Sequence, residues 1–219
     1  MSVGRPAEKE IAMRLIERLV EVLCRPVALS CRGHLVRSTL VGLLAGTTVL
    51  TAATWRVDQA DVRVVCPMTI GSSFEAKTTA LSGTVTAAAE GMRTLDGSLA
   101  VDLRTLDTGI GLRNTHLREK YLEVDRGQGF DTATLSRITL DGFNPTAPEG
   151  KGSFSGSLTL HGVTQTVTGP VDVRQTGAGL RVKATFPVLL TDYSIPKPRY
   201  LGIGVKDTVQ VEVAFAVSR

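Results

Sequence analysis

The stretch GSLTLHGVTQTVTGPVDV, Gly156 to Val173, decides the fold. It reads as two strands of Thr, Val and Leu joined by a tight turn at His161-Gly162, because a two-residue step between β-branched runs is a hairpin signal. The same pattern extends in both directions. Downstream, TVQVEVAFAV (Thr208 to Val217) sets Val209, Val211, Val213, Phe215 and Val217 against Gln210 and Glu212. Upstream, SLAVDLRTL (Ser98 to Leu106) sets Leu99, Val101 and Leu103 against Ala100, Asp102 and Arg104. Such period-two alternation marks strands with one face buried.

Further runs complete the set. LRVKATFPVLL (Leu180 to Leu190) alternates before a Pro-rich break, and ALSGTVTA (Ala80 to Ala87) and TWRVDQADVRVV (Thr54 to Val65) are strand-like. TLSRITLDGF (Thr134 to Phe143) alternates less cleanly, which predicts a bulge. The total is about eight strands in an all-β antiparallel domain, with a helical pattern only within NTHLREKYL, Asn114 to Leu122. Eight antiparallel strands can close into an up-and-down barrel without exposed edges. At that strand number the interior is either filled by side chains or holds one small ligand. A two-layer sandwich or a filled barrel acting as a structural or adhesion module is the competing reading.

The chain has 219 residues, enough for one medium domain and an appendage. Its net charge of +4 is uneven: residues 1–53 hold seven Lys/Arg and four Asp/Glu, and the remainder eighteen and seventeen. The near-neutral main domain lacks the basic footprint of a nucleic-acid binder. Cys24, Cys31 and Cys66 form no CxxC pair, and His34, His116 and His161 are widely spaced, so no metal site is expected.

RGHLVRSTLVGLLAGTTVLTAATW (Arg32 to Trp55) has the parts of a secretory signal: Arg32 and Arg37, the apolar run Leu40 to Leu50, and the small residues Thr51 to Ala53. The uncharged run is short for a membrane span of about 20 residues. Cleavage is expected before Thr54, with an uncleaved membrane anchor as the alternative. Either outcome exports the domain, because the arginines stay cytoplasmic. Residues 1–36 are expected to be an N-terminal extension, either an over-long gene start or the amphipathic helix of Glu10 to Leu23. The expected division is therefore 1–36 extension, 37–53 signal h-region or anchor, and 54–219 barrel, a helical leader ahead of a barrel.

Two fragments suggest chemistry. DTG (Asp107 to Gly109) matches the aspartic-protease loop, but a protease needs two carboxylates sharing a proton, and the chain has one DTG flanked by Arg104, Arg113, His116 and Arg118. It reads instead as a strand end where Asp107 and Gly109 make a turn. RNTHLREKYLE (Arg113 to Glu123) offers no second metal ligand at i+4 from His116, where Lys120 stands, and there is no GxSxG elbow. It reads as a short helix docked by Leu117, Tyr121 and Leu122. A hydrolase using Asp107 or His116 is retained as an alternative, although the chain is not expected to be an enzyme. Cys66, at a strand end before Pro67, reads as a buried small hydrophobe.

Several segments together resemble the YceI-like family of exported bacterial proteins. The resemblance is carried by WRVDQADVRV at the start, by Thr108, Arg113, Asn114, His116, Leu117, Tyr121, Leu122, Glu123 and Val124 in LDTGIGLRNTHLREKYLEV, by SFSGSLTLHGVTQTVTGPV, and by DYSIPKP with LGIGVKDTVQVEVAF. It covers nearly all of residues 55–219. Asn114 departs from the common Asp, and RGQGFDTATL lacks the usual Pro and has Leu135 where Phe is frequent.

The resemblance implies a lipocalin-like, eight-stranded antiparallel barrel with a short helix. It also implies a long apolar cavity for a polyisoprenoid chain, such as a quinone or its precursor, with no catalysis, cofactor or metal. On that basis Leu99, Val101, Leu103, Leu158, Leu160, Phe186, Val211, Val213 and Phe215 are the expected cavity wall. Arg113 and His116 are the candidate head-group or lid contacts. The expected partners are a polyisoprenoid or other amphiphilic lipid, a membrane reached through the leader, and a second copy of the chain. The expected location is periplasmic or secreted.

Overall fold

Alternating Val, Leu and Thr residues bury one face either against a second sheet or by curling the sheet over on itself, and in the computed structural model the sheet closes on itself. The structure describes residues 52–87, 93–143, 149–177, 179–200 and 203–219. The leader expectations for residues 1–51 lie outside them. The strands are β1 (Ala53–Cys66), β2 (Phe74–Thr78), β3 (Leu81–Ala87), β4 (Thr94–Asp102), β5 (Thr132–Asp141), β6 (Gly150–Leu160), β7 (Val163–Thr176), β8 (Gly179–Leu189), β9 (Arg199–Tyr200), β10 (Ile203–Gly204) and β11 (Thr208–Ser218). Nine of them follow the order β11-β8-β7-β6-β5-β4-β3-β1-β2, β11 pairs again with β1 to close the ring, and β9 and β10 form a separate two-stranded sheet. All these pairings are antiparallel.

β2 and β3 both pair with β1, through Val62–Cys66 and Ala53–Arg56 respectively. They are two halves of one stave interrupted at Thr79-Ala80, so the barrel has eight staves. β2 was not read as a strand from the sequence: FEAKT alternates, with Phe74 and Ala76 facing the cavity, but it is only five residues long, and its pairing with β1 holds it in place.

The irregular run in β5 is a bulge, as its broken alternation predicts. The β5–β6 register shifts between Ser136 and Thr139, and Arg137 takes a left-handed φ of 50°. Side-chain period two means one extra residue flips every later side chain to the opposite face. Hence Ala133 and Leu135 face inward before the bulge, and Ile138 and Leu140 after it. In an unbulged strand Ile138 and Leu140 would share the outward face of Ser136; they are buried instead.

β3 and β4 approach closely at Gly83 and Gly97, which lie opposite Leu99 and Val85. Both have positive φ, +139° and +114°, and a Cβ at either would strike the facing backbone carbonyl, Ser98 O or Thr84 O. No larger residue fits these two positions.

The expected strand Ser98 to Leu106 ends earlier, at Asp102. The Asp102 carboxylate accepts from the Arg104 backbone N–H at 3.0 Å, and Leu103–Thr105 turns as a 3-10 helix. The chain then runs through the helix α1 (Gly111–Thr115) and a π turn, His116–Tyr121. It returns through a second 3-10 turn, Val124–Arg126, to β5.

Candidate functional site

The barrel encloses a cavity of about 280 Å³ whose wall is almost entirely carbon. Its wall follows from strand parity. Val209, Val211, Val213, Phe215 and Val217 of β11 all face inward, as do Leu180, Val182, Ala184, Phe186 and Val188 of β8. Eight steps of about 3.3 Å make this a strand path of roughly 26 Å. The nine expected wall residues, Leu99, Val101, Leu103, Leu158, Leu160, Phe186, Val211, Val213 and Phe215, all stand on this surface. Phe186 packs edge-to-face on Phe154, with centroids 5.5 Å apart.

One end of the cavity lies by Trp55, whose indole Nε1 is a buried donor with no partner among the described residues. The other end lies under the segment after β4, where Leu106, Leu117, Tyr121 and Leu122 meet Ile195, Pro198 and Val205. The π turn serves this contact. Leu122 N–H donates to Leu117 O, five residues back, at 2.9 Å. A turn that wide brings Leu122 to the same side as Leu117 and Tyr121. The three residues expected to dock the segment therefore all line the cavity.

The polar side of this lid is a turn. Asp107 accepts from the Gly109 backbone N–H at 2.9 Å and from Asn114 Nδ2 at 2.6 Å. Asn114 Oδ1 in turn accepts from Thr108 N–H at 2.8 Å and Thr108 Oγ1 at 2.7 Å. The Asn114 hydrogen bond, then that of Gly109, holds the Asp107 carboxyl below its ordinary range. An ionised Asp at position 114 could not donate to Asp107, so the Asn114 amide suits this neighbour. DTG is thus a turn, separated from β4 by the 3-10 helix rather than continuing the strand.

Arg113 and His116 do not line the cavity. The Arg113 guanidinium lies 4.4 Å from the centre of the Phe74 ring, which does. His116 is exposed on the outer face, and no hydrogen bond joins it to Asp107 among the described residues. Cys66, the last residue of β1, lines the cavity; burial pushes its thiol up to about 11, against a smaller opposite pull from Arg113. A thiol held protonated is a poor nucleophile. Among the described residues no group of three metal-ligating side chains occurs.

Sequence reasoning missed the residue that ties the lid down. His161, with Gly162, makes the expected turn, at φ 51° and 74°. Its ring is also buried. Nδ1 faces the Tyr193 carbonyl at 3.0 Å and Nε2 faces Glu123 Oε2 at 3.1 Å. Glu123 also accepts from Arg126 at 2.8 Å, and Arg126 covers Phe130, which packs edge-on to His161. Glu123 lies 38 residues from His161 in the chain, and no local pattern pairs them.

The YceI-like domain family model matches residues 55–217. Among curated proteins none matches the chain. Two solved structures share the fold. One is a polyisoprenoid-binding domain from Saccharophagus degradans implicated in plant cell wall breakdown, with TM-score 0.57 and 20% identity, covering 75% of this chain and 97% of that one. The other is BcnA of Burkholderia cenocepacia, with TM-score 0.57 and 21% identity, covering 72% and 95%.

Proposed function

This chain belongs to the YceI-like family, and from that premise we propose that it is an exported binding protein that holds an isoprenoid-like lipid in its barrel for carriage or storage. The observation that carries this reading is the continuous apolar cavity from Trp55 to the Leu117–Tyr121 lid. A prenyl chain threaded there would gain about 2.5 kcal/mol for every 100 Å² of surface removed from water. The wall has almost nothing to offer a polar substrate, and a flexible hydrocarbon is the ligand that matches it. The polyisoprenoid-binding domain of similar fold supports the same ligand class.

The nine wall residues would contact the chain. Arg113, held at the rim by Phe74, would meet the head group. His116 belongs to the outer face of the lid. The filled-barrel alternative is disfavoured by the open interior. The hydrolase alternative is disfavoured because Asp107 is engaged by Asn114 and Gly109. Export through the leader places the protein in the periplasm or outside the cell.

Native mass spectrometry of the protein purified without detergent, followed by solvent extraction, tests the reading. A co-purifying prenyl compound, or rebinding of an added one, is expected. Finding neither would overturn it. The intact mass also reports whether cleavage occurs before Thr54.

A further inference from the structure

The two ends of the cavity are built differently. At one end Leu117, Tyr121 and Leu122 belong to a segment between strands, tied down by Glu123 and His161. At the other, Trp55 sits within β1 and pairs with Val85 of β3. Trp55 lines the cavity yet is only 6% exposed. The Arg219 guanidinium, on an exposed residue, lies 4.6 Å from the centre of its ring. The indole therefore separates the hollow interior from the outside.

The neighbouring strands close at the same level. Val85 lines the cavity, whereas Ala87, the next residue on the same face of β3, is buried and does not. Leu95, Leu180 and Val217 are the matching outermost wall positions on β4, β8 and β11. Phe143, just past the end of β5, packs against the core without lining the cavity. Beyond Trp55 the barrel is thus packed, and a chain admitted at the lid ends there.

A closed end gives the cavity a length. Strands of an eight-stranded barrel tilt by about 40°, so the roughly 26 Å path along β11 stands about 20 Å tall. An extended prenyl chain advances about 1.25 Å for each carbon–carbon bond, or about 5 Å for each four-bond isoprene unit. The 280 Å³ volume spread over that height leaves room for one chain, so a longer tail cannot fold back beside itself.

We propose that Trp55 is the floor on which the tail of the cargo ends, and that it limits the barrel to a chain of about four isoprene units. The inference rests on the carrier reading and refines it, from a prenyl lipid to a short one. Units beyond the limit would lie outside the lid, in water.

The experiment offers the full-length chain an equimolar mixture of all-trans prenyl alcohols, from geraniol to solanesol in steps of one isoprene unit, in phosphatidylcholine vesicles. Native mass spectrometry reads which lengths the protein takes up. Occupancy of the wild type is expected up to about four units and should fall by about tenfold or more for each further unit, because each leaves a bilayer for water. Trp55→Ala removes the floor and should move the limit to longer chains. Val85→Phe fills the space beside the floor from the paired strand and should move it to shorter ones. Thermal melting shows whether each variant folds; if Trp55→Ala does not, Val85→Phe and the wild-type series decide.

Uptake by the wild type that does not fall with length, or a limit that no folded variant moves, would overturn the proposal and leave the carrier reading in place. Uptake of none of the alcohols would overturn both.

Discussion

His161 and Glu123 face each other across 3.1 Å at the rim of the barrel, joining the β6–β7 turn to the end of the lid. The other ring nitrogen of His161 faces the Tyr193 carbonyl at 3.0 Å. A carbonyl and a carboxylate only accept, so an imidazole carrying protons on both nitrogens satisfies both partners. His161→Asn keeps a residue that tolerates the left-handed turn and removes these paired contacts. The expected loss is about 1–3 kcal/mol of unfolding free energy, measured by urea denaturation, with faster exchange in residues 116–126. A variant as stable as the wild type would show that the pair does not hold the lid.

Glu123 gives this contact a pH dependence. The Arg126 hydrogen bond first, and His161 after it, hold the Glu123 carboxyl below its ordinary 4.5. A carboxylate lowered by folding contributes stability above its unfolded pKa and loses it as pH falls through the folded value. Glu123→Gln should therefore flatten part of the stability loss below about pH 4.5. Unfolding midpoints at a series of pH values read this directly; parallel profiles for variant and wild type would refute it.

Asn114→Ala removes the amide that donates to Asp107 and accepts from Thr108. The Asp107 carboxyl should then titrate closer to the ordinary aspartate range, because its largest lowering cause is gone. Carboxyl-carbon NMR titration of Asp107 measures the shift. An unchanged titration would place the cause elsewhere.

Cys66 should resist thiol reagents at pH 8, since burial pushes its thiol up to about 11. Because the folded value is raised, this group's contribution to stability is present below the ordinary thiol range and is lost as pH rises through about 11. Rapid labelling of folded protein at pH 8 would contradict the buried environment.

Ala184 and Val213 pair across β8 and β11, and both look into the cavity. Ala184→Phe with Val213→Phe places two rings in the open space. We expect loss of any co-purified lipid with little loss of stability, read by native mass spectrometry and thermal melting. Phe186→Ala acts on packing instead: it removes the ring that meets Phe154 edge-to-face and should cost about 3 kcal/mol, the low end for such a truncation, because one side of the ring already faces open space. A lipid still carried by the double variant would show that the ligand lies elsewhere.

Parity along each strand was legible in the sequence by itself. β8 and β11 alternate cleanly, so the inward positions of β11 and their wall-facing neighbours follow from the pattern of Val209 to Val217 alone. The lid's apolar edge of Leu117, Tyr121 and Leu122 was legible for the same reason: spacing along one short segment names a face. The tertiary structure decided what no local pattern can carry. Ring closure between β1 and β11 joins residues more than a hundred positions apart. Broken alternation announces a bulge in β5, but pairing with the partner strand is what places it at Arg137, where one inserted residue reverses parity. His161 and Glu123 acquire their role from the folding that brings one end of eight staves together. A sequence fixes which way each side chain points along its own strand; which strands surround it depends on long-range pairing.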